Sequence, residues 1–89
     1  MKPRITIAMT ESGTLDIMLN EQGRSLLIEE LQRLDRSNDH FHLDAPECAT
    51  DIELRTTAHR STDKVIVTAK VCLRPDDWDR EYFPHVLQD

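Results

Sequence analysis

The apolar residues of this chain change period at Asn20, from every second residue to every third or fourth, and that switch constrains the fold more than any other feature. Before it, Ile5, Ile7 and Met9 alternate with Thr6 and Ala8 over residues 4 to 10. Leu15, Ile17 and Leu19 resume the alternation after the turn residues Thr10-Glu11-Ser12-Gly13. Two half-buried strands joined this way pair as an antiparallel hairpin. After Asn20, the residues Leu27, Leu31 and Leu34, with Ile28 and Leu26, follow helical spacing, while Glu29, Glu30, Gln32 and Arg33 fall largely on the other side. Asn20 supplies an N-cap and Glu21 an acidic first turn. The spacing therefore predicts a helix to about Arg36 whose leucine stripe packs on the sheet.

Ser37-Asn38-Asp39 ends that helix, and His40-Phe41-His42-Leu43 alternates as a third strand. Ala45 to Thr50, with Pro46, is a loop; Ile52 and Leu54 mark a weaker strand, and His59 to Asp63 a polar turn. The longest alternation sets Val65, Val67, Ala69, Val71 and Leu73 against Ile66, Thr68, Lys70 and Cys72, which predicts a central strand over residues 64 to 73. Pro75 at a first helical position, followed by Asp76, Asp77 and Asp79, starts a short helix that puts Trp78 and Tyr82 on one face and ends near Pro84. The expected fold is α+β in the order β-β-α-β-β-β: one mainly antiparallel sheet, one main helix on one face and a short C-terminal helical segment.

At 89 residues the chain is expected to be a single domain spanning residues 1–89. With 38% hydrophobic and 31% charged residues it has the composition of a folding chain, and no apolar run approaches the roughly 20 residues that span a bilayer. Met1-Lys2-Pro3-Arg4 leads into an alternating pattern instead of a signal-peptide stretch. Cys48 and Cys72 form no CxxC pair, so reduced thiols in a cytoplasmic protein are expected. The formal net charge of −6 repels phosphate backbones and argues against a nucleic-acid partner. A basic or neutral protein partner suits it better.

No motif calls for catalysis. With two glycines the chain has no phosphate loop, and neither GxSxG nor HExxH occurs. His40 and His42, two apart on a strand, share a face and offer a pair of imidazoles to zinc, with Cys48, Cys72, His59 or Asp44 available to complete a shell. The competing reading is a surface pair that lets Phe41 and Leu43 face the core. Trp78, Tyr82 and Phe83 concentrate aromatic residues near the end of the chain, either as interface anchors or as a cover for the sheet.

His40-Phe41-His42-Leu43, directly after the helix segment Glu29-Glu30-Leu31-Gln32-Arg33-Leu34, resembles small bacterial immunity proteins of the Imm32-like group in polymorphic toxin systems. The resemblance covers about residues 14 to 46. The family's Trp-Gly-Gly type loop is replaced here by Glu47-Cys48-Ala49 after Pro46. The resemblance implies a non-enzymatic protein that binds and neutralises a toxin, with His40 and His42 as the contacts that carry over. Trp78 and Tyr82 join them as partner-binding candidates on chemical grounds.

The second sheet face, if the alternation holds, presents Thr6, Ala8, Met18, His40, His42, Ile66, Thr68 and Cys72. So short a chain leaves a strand edge or that face uncovered. A homodimer built through the sheet, with Met18, Ile66 and Thr68 buried and the main helix outside, is therefore expected, the alternative being Trp78, Tyr82 and Phe83 folded over the same surface.

Overall fold

The computed structural model describes residues 2–88. The hairpin forms as expected: β1 (Ile5–Met9) pairs with β2 (Leu15–Leu19), setting Ile5 opposite Leu19 and Ile7 opposite Ile17. Its turn closes on Thr10, whose carbonyl accepts from the Gly13 N–H at 3.0 Å and whose hydroxyl accepts from the Thr14 N–H at 2.9 Å. Gly13 sits at φ 90°, a conformation that costs glycine little and other residues more.

Helix α1 (Glu21–Gln32) begins where Asn20 predicts. The Asn20 Oδ1 accepts from the backbone N–H of Gly23 at 2.7 Å and of Arg4 at 2.8 Å, and its Nδ2 donates to the Lys2 carbonyl at 2.9 Å. One side chain thus caps the helix and fastens it to the segment entering β1. The helix stops at Gln32, short of the expected Arg36. Asp35 draws the Ser37 and Asn38 backbone N–H groups to its carboxylate at 2.9 and 2.7 Å, which closes a turn in competition with further helix. The Ser37 hydroxyl, with those two amides, holds the Asp35 carboxyl below its ordinary range.

Beyond α1 the fold departs from a single sheet. The described residues form two three-stranded sheets: β2-β1-β5, with β5 at Lys64–Val65, and β4-β3-β6, with β3 at His40–Asp44, β4 at Ile52–Glu53 and β6 at Thr68–Cys72. β4 runs parallel to β3, and the other pairings are antiparallel. The strand expected over residues 64 to 73 divides because the chain changes partners midway. The Ile66 N–H donates to the Ile7 carbonyl at 2.8 Å, whereas the Val67 carbonyl accepts from the Ala45 N–H at 2.9 Å.

A one-residue slip accompanies that change. Ile66, Ala69 and Val71 all pack on the core, so Val67 is exposed and β6 lies at an edge instead of the centre. The weak strand behaves in the opposite sense to its signal. Its residues Ile52 and Leu54 are completely buried, and the Arg55 N–H continues past it to the Ile5 carbonyl at 2.8 Å. The two sheets therefore meet along one edge of β1. Ile5, Ile7, Phe41, Leu43, Ile52 and Leu54 form the buried cluster at that junction, with Leu26 and Leu27 of α1, and Leu34 just beyond its end, packed on it.

The other face of the hairpin is covered by residues 55–63, not by the C-terminal aromatics. Thr6 and Ala8 are buried there and Met18 half-buried. Arg60 pins the segment: its guanidinium bridges Asp16 on β2 and the Asp63 carboxylate, which is 1% exposed. Those two carboxylates, Asp63 foremost, push the Arg60 guanidinium further up its basic range.

Short-range structure is thus complete while burial is not. The chain exposes 6545 Å², against about 5,400 Å² expected for a compact monomer of its mass. Its radius of gyration is 15.1 Å where about 12 Å is usual for this length.

Candidate partner-binding surfaces

His40 and His42 lie on the outer face of β3, as the alternation requires, with their rings perpendicular and 5.1 Å apart. The register sets Cys72 opposite His40, Lys70 opposite His42 and Thr68 opposite Asp44 on the same face. This pair is anchored by acids. Asp39 Oδ1 lies 2.8 Å from the His40 Nδ1, a bond that keeps the Asp39 carboxyl below its usual range, and the Asp51 carboxylate accepts from the His42 backbone N–H at 2.8 Å.

Of the residues that were to complete a zinc shell, Cys72 and Asp44 share the face of the pair, Cys72 opposite His40, and the others lie elsewhere. Asp44 accepts from the Thr68 hydroxyl at 2.7 Å, and Cys48 sits exposed in a 3₁₀ turn at Pro46–Cys48. His59 lies on the segment covering the hairpin, where it lines a depression of about 410 Å³ with Arg4, Thr6, Met18, Arg55 and Thr57. Among the described residues, no three His, Cys, Asp or Glu side chains converge on a metal position. Nor is any helix there long and apolar enough to cross a membrane.

The second surface is the C-terminal segment. Helix α2 (Asp76–Tyr82) starts one residue after Pro75, and a 3₁₀ turn follows over Pro84–Leu87. Arginines tether it. Arg36 donates to both Asp77 carboxylate oxygens at 2.9 and 2.8 Å and stands 5.9 Å from the Trp78 ring. Arg74 holds Asp79 and lies over the Phe83 ring at 5.2 Å. The Arg36 contact lowers the Asp77 carboxyl below its ordinary range. Trp78 is half-buried in this arrangement, but Tyr82 is 67% exposed, and Phe83, Val86 and Leu87 are exposed beside it. The first turn of α2, with Asp77 and Asp79 tied to arginines and Asp76 exposed, thus adjoins an aromatic and aliphatic surface of the kind that packs on an apolar patch of a partner.

A third surface has no counterpart in the expected sites. Leu15, Ile17 and Leu19 lie on the α1 side of β2, where burial is expected, yet Leu15 and Ile17 are 52% and 55% exposed. Ile28 and Leu31 of α1 are exposed as well. The signal for this surface was present in the sequence: the apolar helix positions span more of the circumference than one contact buries. The three residues expected at a dimer face have different surroundings: Ile66 packs on the core, Met18 is half-buried in the depression it lines with Arg55, Thr57 and His59, and Thr68 is bonded to Asp44 on the outer face of β6. Comparison of the chain with family models, with curated proteins and with solved structures finds no match.

Proposed function

We propose that this chain is a small non-enzymatic protein-binding module of the immunity type, which neutralises a toxin by occupying it. The observation that carries the reading is the exposed C-terminal set Tyr82, Phe83, Val86 and Leu87 beside the acidic turn Asp76, Asp77 and Asp79. Exposed apolar side chains give the contact area that a tight inhibitor needs, and the net negative charge of the chain gives the steering. The resemblance over residues 14 to 46 supports the same reading and adds His40 and His42 to the contact surface. A net charge of −6 favours a basic target, as in an enzyme that acts on nucleic acid.

The test is co-expression with the product of the neighbouring gene in the native host. The reading expects that product alone to arrest growth, this chain to relieve the arrest, and the two proteins to co-elute as a stoichiometric complex. Tyr82→Ala combined with Phe83→Ala is expected to weaken the complex at least tenfold while leaving the circular dichroism spectrum intact. A neighbouring product that is harmless, or one that arrests growth unrelieved and unbound, refutes the reading.

A further inference from the structure

We propose that the free edge of β2, together with the exposed α1 stripe beside it, binds a second copy of this chain by antiparallel pairing of β2 with itself about a twofold axis at Ile17. This surface is separate from the C-terminal one invoked above, and neither reading depends on the other. β2 ends its sheet, so among the described residues one of its edges has no strand partner.

Which backbone groups are left over follows from the hydrogen bonds. The Ile5 and Ile7 carbonyls accept from Arg55 and Ile66, whereas the Arg4 carbonyl accepts from Asn20 at the end of β2. Even-numbered residues of β1 are therefore turned toward β2, and the register turns Asp16 and Met18 toward β1 in return. The N–H and C=O groups of Leu15, Ile17 and Leu19 point outward.

Those same residues supply the exposed apolar face. The edge they form contains no proline, no lysine and no bulge, the devices by which an edge is usually kept single. Pairing β2 with itself sets Ile17 opposite Ile17 of the second copy and Leu15 opposite Leu19 of the second copy. Each of these pairs exchanges both backbone bonds. On the other face Asp16 meets Met18 of the second copy, so no like charges oppose one another, and Asp16 is already bridged to Arg60. The pattern Leu-Asp-Ile-Met-Leu is apolar at its centre and both ends, and that symmetry fits a twofold partner.

Helix α1 extends the contact. Ile17 lies about 10 Å back along the strand from Asn20, a distance the helix covers by about Leu27 or Ile28 at its own rise. Ile28 therefore sits near the proposed axis, with Leu31 beyond it. The exposed parts of Met9, Leu15, Ile17, Leu19, Ile28 and Leu31 amount to roughly 500 Å² per copy, so two copies bury about 1,000 Å² from these side chains alone, the lower bound for a specific interface. The surplus of surface over a compact monomer, about 1,100 Å² by mass scaling, is of the size a stable dimer removes from each protomer.

Sedimentation equilibrium of the untagged full chain from about 1 to 100 μM tests the proposal. The wild type is expected to show a dimer mass within that range. Ile17→Lys is expected to give the monomer with an unchanged circular dichroism spectrum, and Val67→Lys, at an exposed apolar position outside the surface, to remain dimeric. Register is read by cysteine pairing with Cys48 and Cys72 replaced by Ser. Ile17→Cys is expected to cross-link under mild oxidation, because paired strands put its Cα atoms about 5.5 Å apart. Leu15→Cys is expected not to, its two copies being roughly 13 Å apart along the strands. The cross-link keeps the test decisive if Ile17→Lys fails to fold. A monomer throughout the range, a dimer unmoved by Ile17→Lys, or equal cross-linking of the two cysteine variants overturns the proposal.

Discussion

Replacing Gly23 by alanine sets two ordinary rules against each other, and the structure decides between them. Helix propensity alone favours alanine by about 1 kcal/mol in a helical position. Gly23, however, is buried in the first turn of α1, where a Cβ would stand 2.5 Å from the Arg4 carbonyl oxygen, 3.0 Å from Ile5 Cγ1 and 3.1 Å from Asn20 Oδ1. The carbonyl contact is roughly 0.8 Å short of ordinary C···O separation. That oxygen cannot withdraw freely, because it accepts the Asn20 N–H at 3.1 Å. The helix must move instead, and with it the cap that joins Asn20 to Gly23 and Arg4. Overpacking of about 1–3 kcal/mol and a weakened cap of about 1 kcal/mol, less the propensity gain, leave a net loss of about 1–3 kcal/mol. For a domain this size that lowers Tm by about 10 °C. Urea and thermal unfolding followed by circular dichroism measure it, with Ser25→Ala on the exposed side of the same turn expected to stay within about 0.5 kcal/mol of wild type. A Gly23→Ala variant as stable as wild type would refute the close approach of α1 to β1.

Asn20→Ala removes the acceptor shared by Gly23 and Arg4 and is expected to cost about 1–2 kcal/mol in the same urea assay. Acidification is expected to release α2. The folded-state Asp77 carboxyl lies below its unfolded value near 4, so its contribution is present above that value and lost as pH falls through the lower folded one. The single tryptophan, Trp78 beside Arg36, reports the release by fluorescence, and an emission unchanged down to about pH 2 would count against the tether. Arg60→Ala is expected to speed amide exchange across residues 56–62 while leaving β3 protected, because the guanidinium that ties the segment to Asp16 is gone. Protein purified without a histidine tag is expected to hold no stoichiometric zinc, since His40 and His42 gain no third ligand, and a chelator-induced fall in Tm would contradict that.

The hairpin and the start of α1 were legible in the sequence because both depend on neighbouring residues: alternation on either side of a glycine turn, then one capping asparagine. The second sheet was not, and the reason is visible at Ile66–Val67. Alternation says which residues share a face but not which strand they face, so a chain that leaves β1 for β3 midway, with one residue of slip, reads as one continuous strand. Burial misled in both directions. Ile52, in a two-residue strand with little pattern of its own, and Leu54 just after it are wholly buried because they lie where the two sheets meet. Leu15 and Ile17 alternate cleanly and remain half in solvent. For the site, His40 and His42 share a face as read, but whether further ligands join them depends on long-range placement that spacing does not encode.

The exposure of β2 follows from where the core is built. A helix is about 10 Å wide and neighbouring strands are about 4.8 Å apart, so one helix covers roughly two strands. Here Leu26, Leu27 and Leu34 are committed to the junction at which Ile5 and Ile7 meet Phe41, Leu43, Ile52 and Leu54. That commitment turns the Leu26 and Leu27 side of α1 onto the junction and leaves Leu15 and Ile17 of β2 half in solvent. The residues best able to provide one, Tyr82, Phe83, Val86 and Leu87, are held with α2 by Arg36 and Arg74, both of which lie outside the hairpin. The electrostatics divide along the same line. The exposed hairpin face is apolar, with Asp16 on the opposite face bridged to Arg60, whereas α2 begins with three aspartates, of which Asp77 and Asp79 pair with Arg36 and Arg74 and Asp76 is exposed. A like-charged second copy is therefore tolerated at β2 and a basic partner attracted at α2, two surfaces whose chemistry keeps their occupants from competing.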